Sequence, residues 1–385
     1  MSAPRKPFAV YAITKHGIAL AARLVPALPS ADLFVSEKLF AQTPEGVKPS
    51  ARPMPLPMGP VLADTFEAYD CHVFLISVGA VVRMIAPLLK NKKVDPAVVC
   101  VDDAARFAIC VLSGHVGRGN AFTARVAGAL DAQPVITTAS DVGGTLTVDI
   151  LGRELGWSLD DPDRNVTRGC AAVVNETPVL FVQEAGEASW WPADKALPPG
   201  VAYTTSLDGV DARAWEILLI ASDRDVRQSH LACWENAVVY RPKSLVVGLG
   251  CDRGAAPEMV ERGVDAMLAE HGLSPKSVKA IATIDRKADE QAFLALAERR
   301  GWPLLTFSAE QLEAARGVQN PSAKVKEHVG TPGVAEPAAL LAAGAEQLLV
   351  PKRVYTEPGA GRSMTFAVAR VPFSSRAANR KEEDA

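Results

Sequence analysis

The chain has 385 residues, 48% of them apolar and 22% charged, enough for two or three globular domains with sizeable cores. A net charge of −3 argues against nucleic acid as a partner, which wants a strongly basic face, and no apolar run is long enough to span a bilayer. Cysteines 71, 100, 110, 170, 233 and 251 form no Cys-x-x-Cys pair and no zinc spacing. Free thiols in a reducing compartment are therefore expected. No signal peptide is legible after Met1, so the expected location is the cytoplasm.

The first region alternates strand and helix patterns. Phe8 to Thr14 is apolar and β-rich, Gly17 to Leu28 has helical spacing, and Asp32 to Ser36 reads as a short strand. Residues 42–62 are rich in Pro and Gly and read as a surface loop, followed by a helix-like Ala63 to Tyr69. Cys71 to Ser77 is a strand apolar on both faces, Ala80 to Lys90 a helix. Ala97 to Asp102 and Phe107 to Leu112 are strands separated by a tight charged turn. Ala121 to Leu130 is a helix and Pro134 to Thr138 a strand. Continuous apolar strands alternating with helices predict a mostly parallel sheet covered on both faces.

From 144 to 243 the pattern turns irregular. A helix-like Val148 to Leu155 precedes Trp190-Trp191, Pro198-Pro199 and short strand-like runs at Ala171 to Val174, Val179 to Val182 and Ile217 to Ala221. These predict a small α+β central region. A second α/β unit opens with the strand Leu245 to Gly250, the helix Pro257 to His271 with Pro at its start and the strand Val278 to Ile284. It continues with the helix Asp289 to Arg300, the strand Pro303 to Phe307 and helices at Ala309 to Arg316 and Ala335 to Ala343. It closes with strands Gln347 to Val354 and Met364 to Val371. The expected domains are thus 1–143, 144–243 and 244–372, with 373–385 a polar disordered tail. The fold class is α/β, two α/β units with mostly parallel sheets flanking the central region.

Five turns carry polar groups where such sheets bind ligands. Ser77-Val-Gly-Ala80 exposes backbone N–H groups at a helix start, suited to an anion or simply to an N-cap. Leu112-Ser-Gly-His-Val-Gly-Arg-Gly-Asn120 leaves a Ser, a His, an Arg and an Asn in a glycine-cleared opening. Val111 stands two residues before Ser113, so the Gly-x-Ser-x-Gly elbow is absent. The unperturbed pKa of a histidine lies near neutrality, so His115 suits a general base or acid, or else pins the loop. Thr137-Thr-Ala-Ser-Asp141 ends the next strand, and Asp141 suits either orienting His115 or capping the following segment. Gly248-Leu-Gly-Cys-Asp-Arg-Gly254 has the wrong last spacing for a dinucleotide fingerprint; a glycine loop that holds a carboxylate with Arg253 fits better. Asn320 to Lys324 and Gly330-Thr-Pro-Gly-Val-Ala-Glu336 offer Thr331 and Glu336 to a ligand, though Ser322 as a helix cap explains much of that stretch.

These motifs in this order resemble the CbiG family, the cobalt-precorrin-5A hydrolases of cobalamin biosynthesis. The resemblance rests on Ile76-Ser-Val-Gly-Ala-Val-Val-Arg-Met-Ile-Ala-Pro87, Val101-Asp-Asp103, Leu112-Ser-Gly-His-Val-Gly117 with Asn120, and Pro134-Val-Ile-Thr-Thr-Ala139 with Asp141. Val247-Gly-Leu-Gly-Cys251, Gly330-Thr-Pro-Gly-Val-Ala-Glu336 and Lys352 extend it through the C-terminal part, which also resembles CobE-type proteins. Arg118 departs from the small residue expected there. The resemblance implies a cytoplasmic enzyme that opens the δ-lactone of an anionic cobalt macrocycle and releases acetaldehyde. It implies no protein-held cofactor, because cobalt arrives in the substrate, and admits neighbouring pathway enzymes as partners.

Residue chemistry then suggests His115 as base or acid, with Ser113 and Asp141 beside it. The oxyanion would meet the N–H groups of Gly79 and Gly114 together with Ser113 Oγ. Arg83, Arg118, Arg253 and Lys352 would take carboxylates, and Ser77, Gly117, Asn120, Gly250, Thr331 and Glu336 would complete the binding surface. Two alternatives use the same residues: a non-catalytic carrier of corrinoid intermediates, and a nucleotide-dependent oxidoreductase resting on Gly248 to Gly254 alone.

Overall fold

The computed structural model describes residues 4–138, 144–321, 326, 330, 331, 333–357 and 362–373. Asp141, Ser322 and the tail from 374 lie outside the described residues. The chain divides into two compact units, 1–150 and 151–385.

The first unit is one seven-stranded sheet of order β3-β2-β1-β4-β5-β6-β7. Its strands are β1 (Lys6–Ala12), β2 (Ala31–Ser36), β3 (Ala51–Met54), β4 (Tyr69–Phe74), β5 (Ala97–Val101), β6 (Phe107–Leu112) and β7 (Gln133–Val135). Alternation along β1 builds both faces. Phe8, Val10 and Ala12 pack with Ile18 and Leu24 of α1 (Lys15–Leu24) and Val126 and Leu130 of α4 (Gly119–Leu130). Ala9 and Tyr11 pack with Leu62 of α2 (Gly59–Thr65) and Val81 and Ile85 of α3 (Val78–Ile85). Strands buried on both faces read as continuous apolar runs, which is why they are legible.

One pairing departs from the parallel expectation. β5 and β6 are antiparallel, Val98 opposite Leu112 and Val101 opposite Ala108, whereas β6 and β7 run parallel. The turn 102–106 is too short for the crossover that parallel neighbours require. The expected loop at 42–62 also holds the edge strand β3; Pro53 inside it disguises the strand, and an edge is where Pro is tolerated.

The second unit carries two five-stranded sheets. The central one, order β10-β9-β11-β12-β8, uses β8 (Ser158–Leu159), β9 (Val179–Gln183), β10 (Val201–Thr204), β11 (Ile217–Ala221) and β12 (Ala237–Arg241). Its sole antiparallel pair is β12 with β8. The expected strand at 171–174 is instead the end of α5 (Val166–Val174), whose terminal valines mimic a strand. The expected helix at 148–155 is turns and a 3₁₀ turn, broken by left-handed Gly152 and Gly156.

The last sheet, order β15-β14-β13-β17-β16, consists of β13 (Leu245–Cys251), β14 (Val278–Ile284), β15 (Leu304–Phe307), β16 (Leu348–Thr356) and β17 (Ser363–Arg370). β13, β14 and β15 are parallel and β17 is antiparallel to both its neighbours. Leu245, Val247 and Leu249 face α6 (Pro257–Glu270) and α7 (Gln291–Arg300); Val246 faces α8 (Ala335–Ala343). Within this unit the buried Asp223 accepts two bonds from Arg370, at 2.6 and 2.7 Å, and one from Ser244 at 2.8 Å, which ties the central sheet to the last one. All six cysteines are free, and among the described residues no helix is long and apolar enough to cross a membrane.

Candidate active site

The loop between β6 and α4 folds tightly on itself. Gly119 N donates to Ser113 O at 2.9 Å, Asn120 N to Gly114 O at 3.0 Å and Arg118 N to His115 O at 2.9 Å. Its glycines supply space rather than unusual dihedrals. A Cβ at Gly117 would come 2.5 Å from Ser113 Cβ, and one at Gly114 would come 2.7 Å from Asn120 Oδ1 and 3.0 Å from Thr138 Oγ1. The left-handed positions are Ser113 (φ 56°) and Arg118 (φ 62°), a conformation that costs least at glycine. Asn120 Nδ2 donates to Thr138 Oγ1 at 3.0 Å, which places the end of β7 beside this loop, as expected.

His115 does not stand alone. Its Nδ1 lies 3.4 Å from Asp149 Oδ1, and both side chains are largely buried. Burial pushes the Asp149 carboxyl upward, but the adjacent His115, its own backbone and the charge of Lys92 outweigh this and leave it below the usual carboxylate range; at 3.4 Å the pair is an ionic contact, and among the described residues Asp149 Oδ1 accepts no hydrogen bond. A carboxylate against Nδ1 favours the Nδ1–H tautomer and leaves the lone pair on Nε2, the arrangement of an oriented general base. The carboxylate beside His115 is thus Asp149; Asp141 lies outside the described residues. No local motif marks Asp149, which reaches His115 only through the turns after β7.

The antiparallel β5–β6 pair separates two loops that the sequence placed in one crevice. Ser113 leaves β6 at the amino edge of β5, and its Oγ donates to Asp95 O at 2.9 Å, just before β5 begins. Ser77 and Gly79 leave β4 at the opposite edge, where Cys100 at the far end of β5 donates to Ile76 O. The length of β5 puts about 15 Å between the edges. Gly79 and Gly114 therefore do not share an oxyanion, and the Ser113 hydroxyl hydrogen is committed to a carbonyl. Arg83 donates to Gly79 O of its own helix at 2.9 Å. On that same far edge His16 Nδ1 and Asp103 Oδ2 form an exposed pair at 2.7 Å, which sequence reading passed over.

In the second unit the remaining candidates are occupied by the protein's own groups. Arg253 binds Asp289 Oδ1 at 2.6 Å and Arg286 O at 2.9 Å. Gly254 N donates to Glu290 Oε1 at 3.1 Å, and Lys287 Nζ contacts Glu290 Oε2 at 2.9 Å. The glycine loop does hold carboxylates, but they are Asp289 and the buried Glu290. A Cβ on Gly248 would overlap the Ala335 carbonyl and one on Gly250 would reach Thr365 Oγ1, so these glycines let α8 and β17 approach β13. Burial pushes the Cys251 thiol up to about 11, which leaves it inert.

Glu336 is also internal. It is 2% exposed and accepts N–H bonds from Gln319, Asn320 and Lys352 at 2.8 Å and from the Asn320 amide at 2.7 Å. Burial raises its carboxyl, but these donors overcome that and hold it below the ordinary value. Lys352 Nζ reaches Asn320 O at 2.9 Å, and the buried Thr331 donates to Gly333 O at 3.0 Å. These residues stitch α8 to the bulged strand β16. Among the described residues no group of three or more His, Cys, Asp or Glu is placed to hold a metal ion.

Three family models match in order: Cobalamin synthesis G N-terminal over residues 60–141, Cobalamin biosynthesis central region over 146–242, and Cobalamin synthesis G C-terminus over 245–369. The chain is 39% identical over 369 residues to a cobalt-precorrin-5A hydrolase of Priestia megaterium, covering 96% of each chain. It is 31% identical over 342 residues to the Salmonella typhimurium LT2 cobalt-precorrin-5A hydrolase, covering 86% of this chain and 91% of that one. Protein CobE of Sinorhizobium sp is 39% identical over 111 residues, 29% of this chain and 72% of CobE. With all three regions matched in sequence and a relative aligned over nearly its full length, the chain belongs to the CbiG family, and its C-terminal part is CobE-like.

Proposed function

We propose that this chain is a cobalt-precorrin-5A hydrolase: it opens the ring-A δ-lactone of cobalt-precorrin-5A, and acetaldehyde is released to give cobalt-precorrin-5B. Family membership supplies the substrate, and the observation that carries the mechanism is the His115–Asp149 contact at 3.4 Å beside the start of α4. Asp149 holds the imidazole in the tautomer whose Nε2 accepts a proton from water, and the resulting hydroxide adds to the lactone carbonyl. The N–H of Gly114, next to His115 in the chain, is the donor for the tetrahedral oxyanion. Collapse expels the lactone oxygen, which takes up the proton held by His115, and frees the acetate carboxyl. The hydroxyl freed on the extruded carbon then gives up its proton as the bond from that carbon to the macrocycle breaks, so that the two-carbon fragment leaves as acetaldehyde and the macrocycle carbon, keeping the bond's electron pair, takes up a proton. Arg118 at the same loop takes a peripheral carboxylate. Cobalt enters with the substrate and needs no protein ligand.

The test mixes the purified full-length chain with cobalt-precorrin-5A and follows trapped acetaldehyde together with the mass of the corrinoid. Enzyme-dependent aldehyde in step with product is expected. Corrinoid binding with no aldehyde above the protein-free rate would instead make the chain a carrier.

A further inference from the structure

We propose that Lys92 binds a peripheral carboxylate of the macrocycle at the His115–Asp149 site, with Asp95 as the residue that positions it; this rests on the hydrolase reading above. A macrocycle bearing several carboxylates needs several cations near the lactone. Four were legible in the sequence, yet Arg83 leaves the sheet at the other edge, Arg253 is held by Asp289, and Lys352 is tied to Asn320. Of the four, Arg118 alone belongs to the His115 loop.

Lys92 fills that gap by virtue of a built turn. The Asp95 carboxylate accepts Lys90 N at 3.0 and 3.2 Å. Asn91 O accepts Asp95 N at 3.0 Å and Val94 N at 3.2 Å, and Asn91 Oδ1 accepts Lys93 N at 2.9 Å. This closed ring of bonds leaves Lys92 at its tip, exposed to solvent and near enough for its charge to act on Asp149. The same buried Asp95 offers its carbonyl to Ser113 Oγ at 2.9 Å, and that carbonyl lies 3.4 Å from where a Gly117 Cβ would stand. The turn 90–95 and the loop 113–120 therefore share one wall, two residues from His115. An ordered backbone beneath the lysine lowers the entropy lost when it grips a ligand. An ammonium is a compact point charge suited to a carboxylate whose angle of approach varies.

The experiment uses the full chain and reads binding and turnover separately. Spectroscopic titration with cobalt-precorrin-5A is expected to show about tenfold weaker binding for Lys92→Gln than for wild type, the size of one charge-assisted bond. Lys92→Arg restores most of it. In the acetaldehyde assay KM rises by a similar factor while kcat stays within about twofold, since the contact is made in the ground state and the transition state alike. Added salt weakens wild-type binding more steeply than binding by Lys92→Gln, because one exposed charge pair fewer is screened; a structural lysine would not change that slope. Equal affinity and equal salt slope in wild type and Lys92→Gln would overturn the assignment, as would a loss in kcat alone. Wild-type binding without aldehyde would refute the hydrolase reading while the titration still decides the role of Lys92.

Discussion

Two glycine-rich turns in this molecule look alike in sequence and differ in what fills them. The loop after β6, residues 113–120, puts His115 against Asp149 and beside the lysine-bearing turn 90–95. The loop after β13, residues 250–254, has equivalent glycines and an arginine, but its anion partners are Glu290 and Asp289 of the same unit. The difference teaches that a turn built to receive a carboxylate is not thereby a ligand site. The protein can supply the carboxylate, and then the turn contributes to folding.

Substitutions at the two loops sharpen that contrast. His115→Ala should have the largest effect, lowering kcat of the folded fraction by about a thousandfold as general-base loss does, together with some loss of thermal stability because the largely buried Asp149 loses its neighbour. A folded variant with wild-type turnover would make His115 a structural residue and erase the distinction between the loops. Glu290→Ala should invert the pattern. It leaves Gly254 N and Lys287 without their buried partner and costs about 3 kcal/mol in chemical denaturation, while kcat of the folded fraction holds. Arg253→Ala should do least. Its pair with Asp289 is exposed on both sides, and such pairs contribute little, so both KM and the unfolding midpoint should stay at wild-type values. A raised KM in that variant would return the second loop to the substrate.

Part of the site was readable before any fold was known. The glycines at 114, 117 and 119 announced a tight strand-to-helix loop, and the lone histidine within it stood out as the candidate base or acid. The partner of that histidine was not readable, because Asp149 follows turns rather than a motif, in a stretch whose apolar spacing suggested a helix. The separation of Ser77 from Ser113 was readable in principle. A turn as short as 102–106 permits only an antiparallel pair, and one reversed strand moves every following loop to the other edge of the sheet. Asp95 and Lys92 sat in the connection before β5, where no motif pointed to them.

The sequence by itself determined the apolar strands, the α/β class, the order of family motifs and the glycine-rich loop that carries His115. Each of these is local: a period, a glycine spacing or a run of matched residues. The tertiary structure alone decided which carboxylate meets which cation. Glu290, Glu336 and Asp223 are buried against donors far away in the chain, and burial is what makes such pairing obligatory, since a desolvated carboxylate without partners is too costly to keep. Charges consumed by that requirement are unavailable to a ligand. At the His115 edge, by contrast, Lys92 stands exposed on its turn, and that is the cation proposed above to meet an anionic substrate.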